Sequence, residues 1–149
     1  MTENKKYLTP SEYDIAIKDV IKKIQDSKFK PDIILGVMRG GLTPAIYASH
    51  LLGKVPVYSI RASEREWEEF HIQEIVKEKL ETAKKVLVID ELIDSGAVTL
   101  LLRKYFEENY PDLDIKFSVV YAKENSLGIV DYYSEVVDDR WLVFPYEKE

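Results

Sequence analysis

The chain has 149 residues, 46% of them hydrophobic and 32% charged, with a net charge of −6 and no cysteine. This length and balance predict one globular domain with a genuine core and exclude a disordered tail, a collagen-like fibre and a low-complexity linker. The missing cysteines exclude disulfides, thiolate catalysis and Cys-ligated metal sites, and the acidic balance argues against a broad nucleic-acid footprint. No apolar run approaches the roughly 20 residues that span a bilayer. Residues 1–6 are polar without an apolar stretch behind them, so no secretory signal is read and a cytoplasmic chain is expected.

Thr9-Pro10-Ser11-Glu12 reads as a helix start, with Thr as the cap, Pro in the first turn and Glu three residues on to close a capping box. Tyr13, Ile17, Val20, Ile21 and Ile24 follow at steps of three and four, predicting an amphipathic helix to Ser27. Beyond Pro31, residues 33–37 read as a short buried strand. Thr43-Pro44 repeats the cap-plus-proline signal and opens a second helix that Gly53 stops. Residues 55–60 form a second strand and 86–89 a third, continuously apolar and therefore central. Val98, Leu101, Leu102, Tyr105 and Phe106 mark a helix ending near Pro111, where Tyr105, Phe106 and Tyr110 serve as core or interface aromatics. Residues 117–121 read as a fourth strand, and 141–144 as a last short one before Pro145.

Strands alternating with helices, most of them apolar on both faces, predict an α/β domain with a central, mostly parallel, twisted sheet flanked by helices. Residues 62–83 are rich in Glu and fit neither the helical nor the strand period, so they read as an excursion from the sheet with an exposed tip at 63–69.

In open parallel sheets, ligands bind at the carboxyl ends of the strands. There the third strand runs straight into Asp90-Glu91, then Leu92-Ile93, then Asp94-Ser95-Gly96-Ala97-Val98-Thr99 at a helix start. Two adjacent carboxylates at a buried strand end repel and resist desolvation, so they call for hydroxyl donors such as a sugar diol, or for a cation such as magnesium. The turn from Ser95 to Thr99 offers free backbone N–H groups and two hydroxyls, a cradle for a monophosphate. Helix capping by Asp94 or Ser95 alone leaves Asp90 and Glu91 without a role. After the first strand, Arg39-Gly40-Gly41 sets a fixed cation beside backbone that a ligand can approach closely, a fit for a diphosphate.

The string from Val86 to Thr99 resembles the phosphoribosyl-pyrophosphate signature of the type I phosphoribosyltransferases. The resemblance implies that Asp90 and Glu91 hold the ribose hydroxyls and Mg2+. It also implies that the loop from Asp94 to Thr99 holds the 5-phosphate, that Asp94 lies by the base N7 as general base, and that Arg39, Gly40 and Gly41 meet the diphosphate. The C-terminal segment, 122–149, looks like the base-binding hood of the xanthine-guanine branch: Lys123 would donate to a purine 6-oxo group, Trp141 stack on the ring, and the Leu142 backbone meet the 2-position. The sequence departs from that branch in having Lys123-Glu124 for Lys-Pro, Val130-Asp131-Tyr132 for Pro-Asp-Tyr, and Tyr146 for Trp. The implied partners are phosphoribosyl pyrophosphate and a purine base, without nucleic acid or a membrane span, in a homodimer or homotetramer.

Two rivals stand beside that reading: a protein that keeps the phosphoribosyl-pyrophosphate site as a sensor, and a transferase for another base. Lys123 argues against adenine, whose 6-amino group is also a donor. His50 on the second helix and His71 in the excursion show no partner pattern for a triad or a metal. Trp67 reads as an exposed or interface packing group, and either Arg61 or Arg65 as a cation that a closing loop brings to the diphosphate.

Overall fold

The computed structural model describes residues 4–61 and 72–147. The expectations for Arg65, Trp67, His71 and the 63–69 tip fall outside these described residues. Five parallel strands form the main sheet: β2 (Ile33–Met38), β3 (Val57–Arg61), β4 (Lys85–Ile93), β5 (Asp114–Lys123) and β6 (Tyr132–Val137), in the order β3-β2-β4-β5-β6. A second, two-stranded sheet pairs β1 (Lys5–Tyr7) in parallel with β7 (Trp141–Val143).

The helices cover both faces of the main sheet. Helix α1 (Pro10–Asp26) starts as its sequence dictates: the Glu12 amide donates to the Thr9 hydroxyl at 3.0 Å, and the Thr9 amide donates to the Glu12 carboxylate at 3.1 Å. Its stripe of Tyr13, Ile17, Val20, Ile21 and Ile24 is buried against Leu87, Ile89 and Tyr121, together with Ala45 and Ala48 of α2 (Leu42–Leu51). The opposite face packs Val86, Val88 and Phe117 on Val76 and Leu80 of α3 (Glu74–Thr82) and on Leu102 and Phe106 of α4 (Ala97–Asn109). Alternation along a strand thus sends the even residues of β4 to one helical layer and the odd ones to the other.

Four expectations are corrected. Helix α2 begins at Leu42 with Gly41 at its cap, and no side chain caps it. Pro44 falls within its first turn, where a missing N–H costs nothing. The excursion contains α3, whose apolar stripe is only Val76 and Leu80, one turn apart, while Ile75 faces outward; so thin a stripe gives little periodic signal. Strand β4 does not stop at Ile89 but runs through Asp90 and Glu91 to Ile93, because β5 continues to pair with it from Asp90↔Val119 to Ile93↔Ala122. Finally, β1 and β6 went unread: β1 has three residues, and β6 is a sheet-edge strand with exposed Glu135 and Val136.

Strand order reverses between β2 and β4: from β2 the chain goes to β3 on one side, and from β4 to β5 on the other. Loops leaving the carboxyl ends of neighbouring strands in opposite directions open a crevice between them. The end of β2, Val37 and Met38, and the Asp94–Thr99 loop wall a cleft there. No helix among the described residues is long and apolar enough to cross a membrane.

Candidate active site

Two clefts open at this end of the sheet. The first, of about 230 Å³, lies over the loop between β4 and α4 and is walled by Met38, Asp90 and the run from Leu92 to Thr99. Every loop residue singled out in the sequence, Asp94, Ser95, Gly96, Ala97, Val98 and Thr99, lines it. Gly96 caps α4 at φ +88°, a conformation that disfavours any side chain, and a Cβ there would collide with Ile129. The first turn of α4, where the Ala97 amide donates to the Ser95 hydroxyl at 3.3 Å, therefore borders an open cavity, the arrangement that suits a phosphate.

The second cleft, of about 180 Å³, lies under the C-terminal segment and is lined by Lys123, Trp141, Leu142, Phe144 and Tyr146 among others. Trp141 is 67% exposed, so one ring face is available to a flat ligand. Lys123 is held with its Nζ 3.1 Å from a carboxylate oxygen of Asp94. Leu92 and Asp94 line both clefts, so Asp94 stands at their junction. The Asp94 carbonyl in turn accepts from the Ser126 hydroxyl at 2.5 Å, which fastens the loop to the turn after β5.

The adjacent acids part company. Asp90 belongs to the even residues of β4 and lines the first cleft, with its carboxylate accepting from the Glu91 amide at 2.7 Å. Glu91, buried, lies on the α1 side and lines the other cleft. Tyr13 donates its hydroxyl to one Glu91 carboxylate oxygen, and Tyr146 donates to the other at 2.5 Å. Burial pushes both carboxyls up to about 7; for Glu91 the two phenol donors work against that rise. Beneath the second cleft, Tyr13, Tyr121, Phe144 and Tyr146 form a contiguous aromatic cluster.

On the β2 side, Gly41 is required by close approach: a Cβ there would lie 2.5 Å from the Val37 carbonyl and 2.7 Å from the Ile89 carbonyl. Gly40 is in contact with Glu91, whose carboxylate occupies the space a Cβ would need. Arg39 has an exposed side chain that lines neither cleft and makes no ion pair among the described residues, and neither Gly40 nor Gly41 lines a cleft either. Arg61 ends β3 opposite Met38. His50 lies exposed on α2, away from both clefts.

Sequence reasoning missed Tyr13 and Tyr146 as neighbours of the acidic pair; Val137, Asp139, Arg140 and Glu147, which also wall the second cleft, fall within the 122–149 segment read as a hood but were not singled out there. Tyr13 fell within the apolar stripe of α1 and was counted as core, which it also is. The others lie on the C-terminal segment, whose return over the sheet depends on the β1–β7 pairing rather than on any local signal.

The residues match known proteins over most of their length. Xanthine-guanine phosphoribosyltransferase of Cereibacter sphaeroides is 31% identical over 119 residues, which covers 76% of this chain and 68% of the relative. The protein of the same name from Nitratidesulfovibrio vulgaris is 32% identical over 118 residues, covering 78% and 69%. Among solved structures, the purine phosphoribosyltransferase from Pyrococcus horikoshii Ot3 superposes with a TM-score of 0.77 at 28% identity over 98% of this chain and 96% of that one. The model of the phosphoribosyl transferase domain spans residues 5–147, from the first residue of β1 to the turn that carries Tyr146, and the chain belongs to that family.

Proposed function

We propose that this chain is a pentosyltransferase that joins a 6-oxopurine (guanine, xanthine or hypoxanthine) to phosphoribosyl pyrophosphate, releasing pyrophosphate and the nucleoside monophosphate. The observation that carries the reading is Asp94, common to both clefts and ion-paired with Lys123. One cleft has the amides and hydroxyls a sugar phosphate requires. The other has a flat exposed aromatic face and a cation at its edge, and the reacting bond would lie where the two meet. The xanthine-guanine relatives and the purine-specific structural neighbour support the same substrate class.

In this reaction a purine ring nitrogen forms a bond to ribose C1 while the bond from C1 to the diphosphate oxygen breaks, and the diphosphate leaves with the electron pair. Positive charge builds on the sugar ring, as in glycoside chemistry. Ser95, Gly96, Ala97, Val98 and Thr99 hold the 5-phosphate and fix the ribose at the junction. Asp94 accepts the proton that the base gives up, and Lys123 beside it binds the 6-oxo group while Trp141 and the Leu142 backbone orient the ring. Arg39 and the Gly40-Gly41 backbone meet the diphosphate.

Of the expected pair, Asp90 fits a hard divalent cation: it is an oxygen donor on the first cleft, and burial holds its carboxyl near 7, a desolvation that positive charge relieves, whereas Glu91 lines the other cleft with both oxygens engaged by phenols and would not share the ion. One carboxylate with substrate oxygens and waters matches the way magnesium is bound at phosphate sites. Magnesium, when bound, neutralises charge on the diphosphate.

The test is pyrophosphate release from phosphoribosyl pyrophosphate with guanine, hypoxanthine, xanthine and adenine in turn. Release with 6-oxopurines and not with adenine is expected. Binding of phosphoribosyl pyrophosphate without turnover of any base would turn the assignment to the sensor reading.

A further inference from the structure

Glu91 carries a feature that its place in the acidic pair does not require. Both oxygens of its carboxylate are engaged by phenol hydroxyls, and the phenols come from opposite ends of the chain. Tyr13 is on the first helix and buried; Tyr146 is in the turn after β7 and 56% exposed. Glu91 itself fills the space beside Gly40, and the Tyr146 hydroxyl lies 3.2 Å from where a Gly40 Cβ would be. Three segments therefore converge on one carboxylate: the helix behind the site, the β2–α2 loop, and the turn that walls the base-side cleft.

The two rings do not depend on these hydroxyls for their own packing. Tyr13 stacks with Tyr121 at 6.5 Å and meets Phe144 at 5.5 Å, while Tyr146 stacks on Phe144 at 5.9 Å. Phenylalanine in either place would keep those contacts. What the hydroxyls add is directional: a carboxylate held by two donors has one orientation, whereas a carboxylate on a free glutamate stem has several.

We infer that Tyr13 and Tyr146 are positioning residues that hold the Glu91 carboxylate against Gly40, and that through Tyr146 the base-side wall sets the geometry of the phosphoribosyl-pyrophosphate site. This rests on the transferase reading above. Loosening either hydroxyl lets Glu91 rotate, so the cost appears first in affinity for phosphoribosyl pyrophosphate, measured with no base present. The base is touched by Trp141 and Lys123, which neither substitution alters.

The experiment is calorimetric titration of phosphoribosyl pyrophosphate, with magnesium and without base, into wild type, Tyr146→Phe, Tyr13→Phe, Glu91→Gln and the double variant Glu91→Gln/Tyr146→Phe. Thermal unfolding of each is recorded alongside. Tyr146→Phe should weaken binding by roughly threefold to tenfold, less than the full worth of a charge-assisted hydrogen bond because the Tyr13 donor still holds the carboxylate, with the unfolding midpoint nearly unchanged because its ring is retained. Once Glu91→Gln has removed the charged acceptor, adding Tyr146→Phe should cost little more. Tyr13→Phe should behave like Tyr146→Phe in binding. Wild-type affinity in both phenylalanine variants overturns the inference, as does a full, additive loss in the double variant. If wild type itself fails to bind phosphoribosyl pyrophosphate, the transferase reading falls with it, so the two failures are told apart.

Discussion

Lys123→Met removes one cation from the base-side cleft and leaves a stem of similar length. In the free protein its loss should be mild. Lys123 pairs with Asp94, whose side chain is 74% exposed, and a pair so open to water contributes less than about 1 kcal/mol. The variant should therefore fold, with an unfolding free energy within about 1 kcal/mol of wild type. In the complex the lysine, only 20% exposed even before a base covers it, would donate to the purine 6-oxo group. A hydrogen bond from a charged donor is worth about 1.5–3 kcal/mol, or roughly tenfold to 150-fold in kcat/KM. Loss of the Asp94 partner lowers kcat for every base alike, so the informative quantity is a ratio. In wild type, adenine leaves the ammonium facing an amino group, donor to donor, and should be rejected by roughly 10³-fold or more; in Lys123→Met the guanine-to-adenine ratio should collapse. Initial rates with guanine, hypoxanthine, xanthine and adenine measure it, with calorimetry as a check that affinity for phosphoribosyl pyrophosphate moves less than about twofold. An unchanged ratio, or wild type that uses adenine as readily as guanine, refutes the role of Lys123.

Tyr121 is fully buried and its hydroxyl has no hydrogen-bond partner among the described residues; Tyr121→Phe should therefore raise stability by about 1 kcal/mol and the midpoint by about 2–4 °C, whereas a fall would reveal a bound partner. Gly41→Ala sets a Cβ against the backbone of β2 and β4, which cannot yield as a side chain can; a loss of about 1–3 kcal/mol in urea unfolding is expected, and a wild-type curve would contradict the close approach. For pH, Asp90 and Glu91 sit near 7 in the folded chain and in the ordinary carboxylate range when unfolded. The folded state thus holds protons that the unfolded state has released, so their contribution is complete below about pH 4 and is lost as pH rises to 7, by up to about 1.4 kcal/mol per pH unit for each group. Asp90→Asn should accordingly gain on wild type in urea titrations between pH 5 and pH 8, and a gap constant with pH would show that Asp90 is not raised.

Periodicity made four of the five strands of the main sheet and three of its helices legible, because buried parallel strands are continuous apolar runs and α1 has both a capping box and a wide stripe. The loop from Asp94 to Thr99 was legible for a similar reason: a strand, a short polar turn and a helix are contiguous in sequence, and the cleft they make is local. The two-fold split of Asp90 and Glu91 was hidden because adjacent letters do not say where a strand ends. Had β4 stopped at Ile89, both carboxylates would have been free to turn to one ligand; continued pairing with β5 sends them to opposite layers. Tyr13 and Tyr146 were invisible as a pair for the opposite reason, since only the folded chain brings positions so distant in sequence to one carboxylate.

The pairing of β1 with β7 bears on how the molecule is made. Lys5, Lys6 and Tyr7 lie beside Trp141, Leu142 and Val143, so this small sheet closes a loop of nearly the whole chain. Such a contact carries a large closure entropy and is rewarded only after the intervening strands have found their places. During synthesis the phosphate-side cleft, built within β4 and α4, can take shape while the ribosome is still at work. The wall that bears Trp141 and Tyr146 must wait for the last strand to emerge and meet the first, so the two clefts are completed at different moments in the life of each molecule.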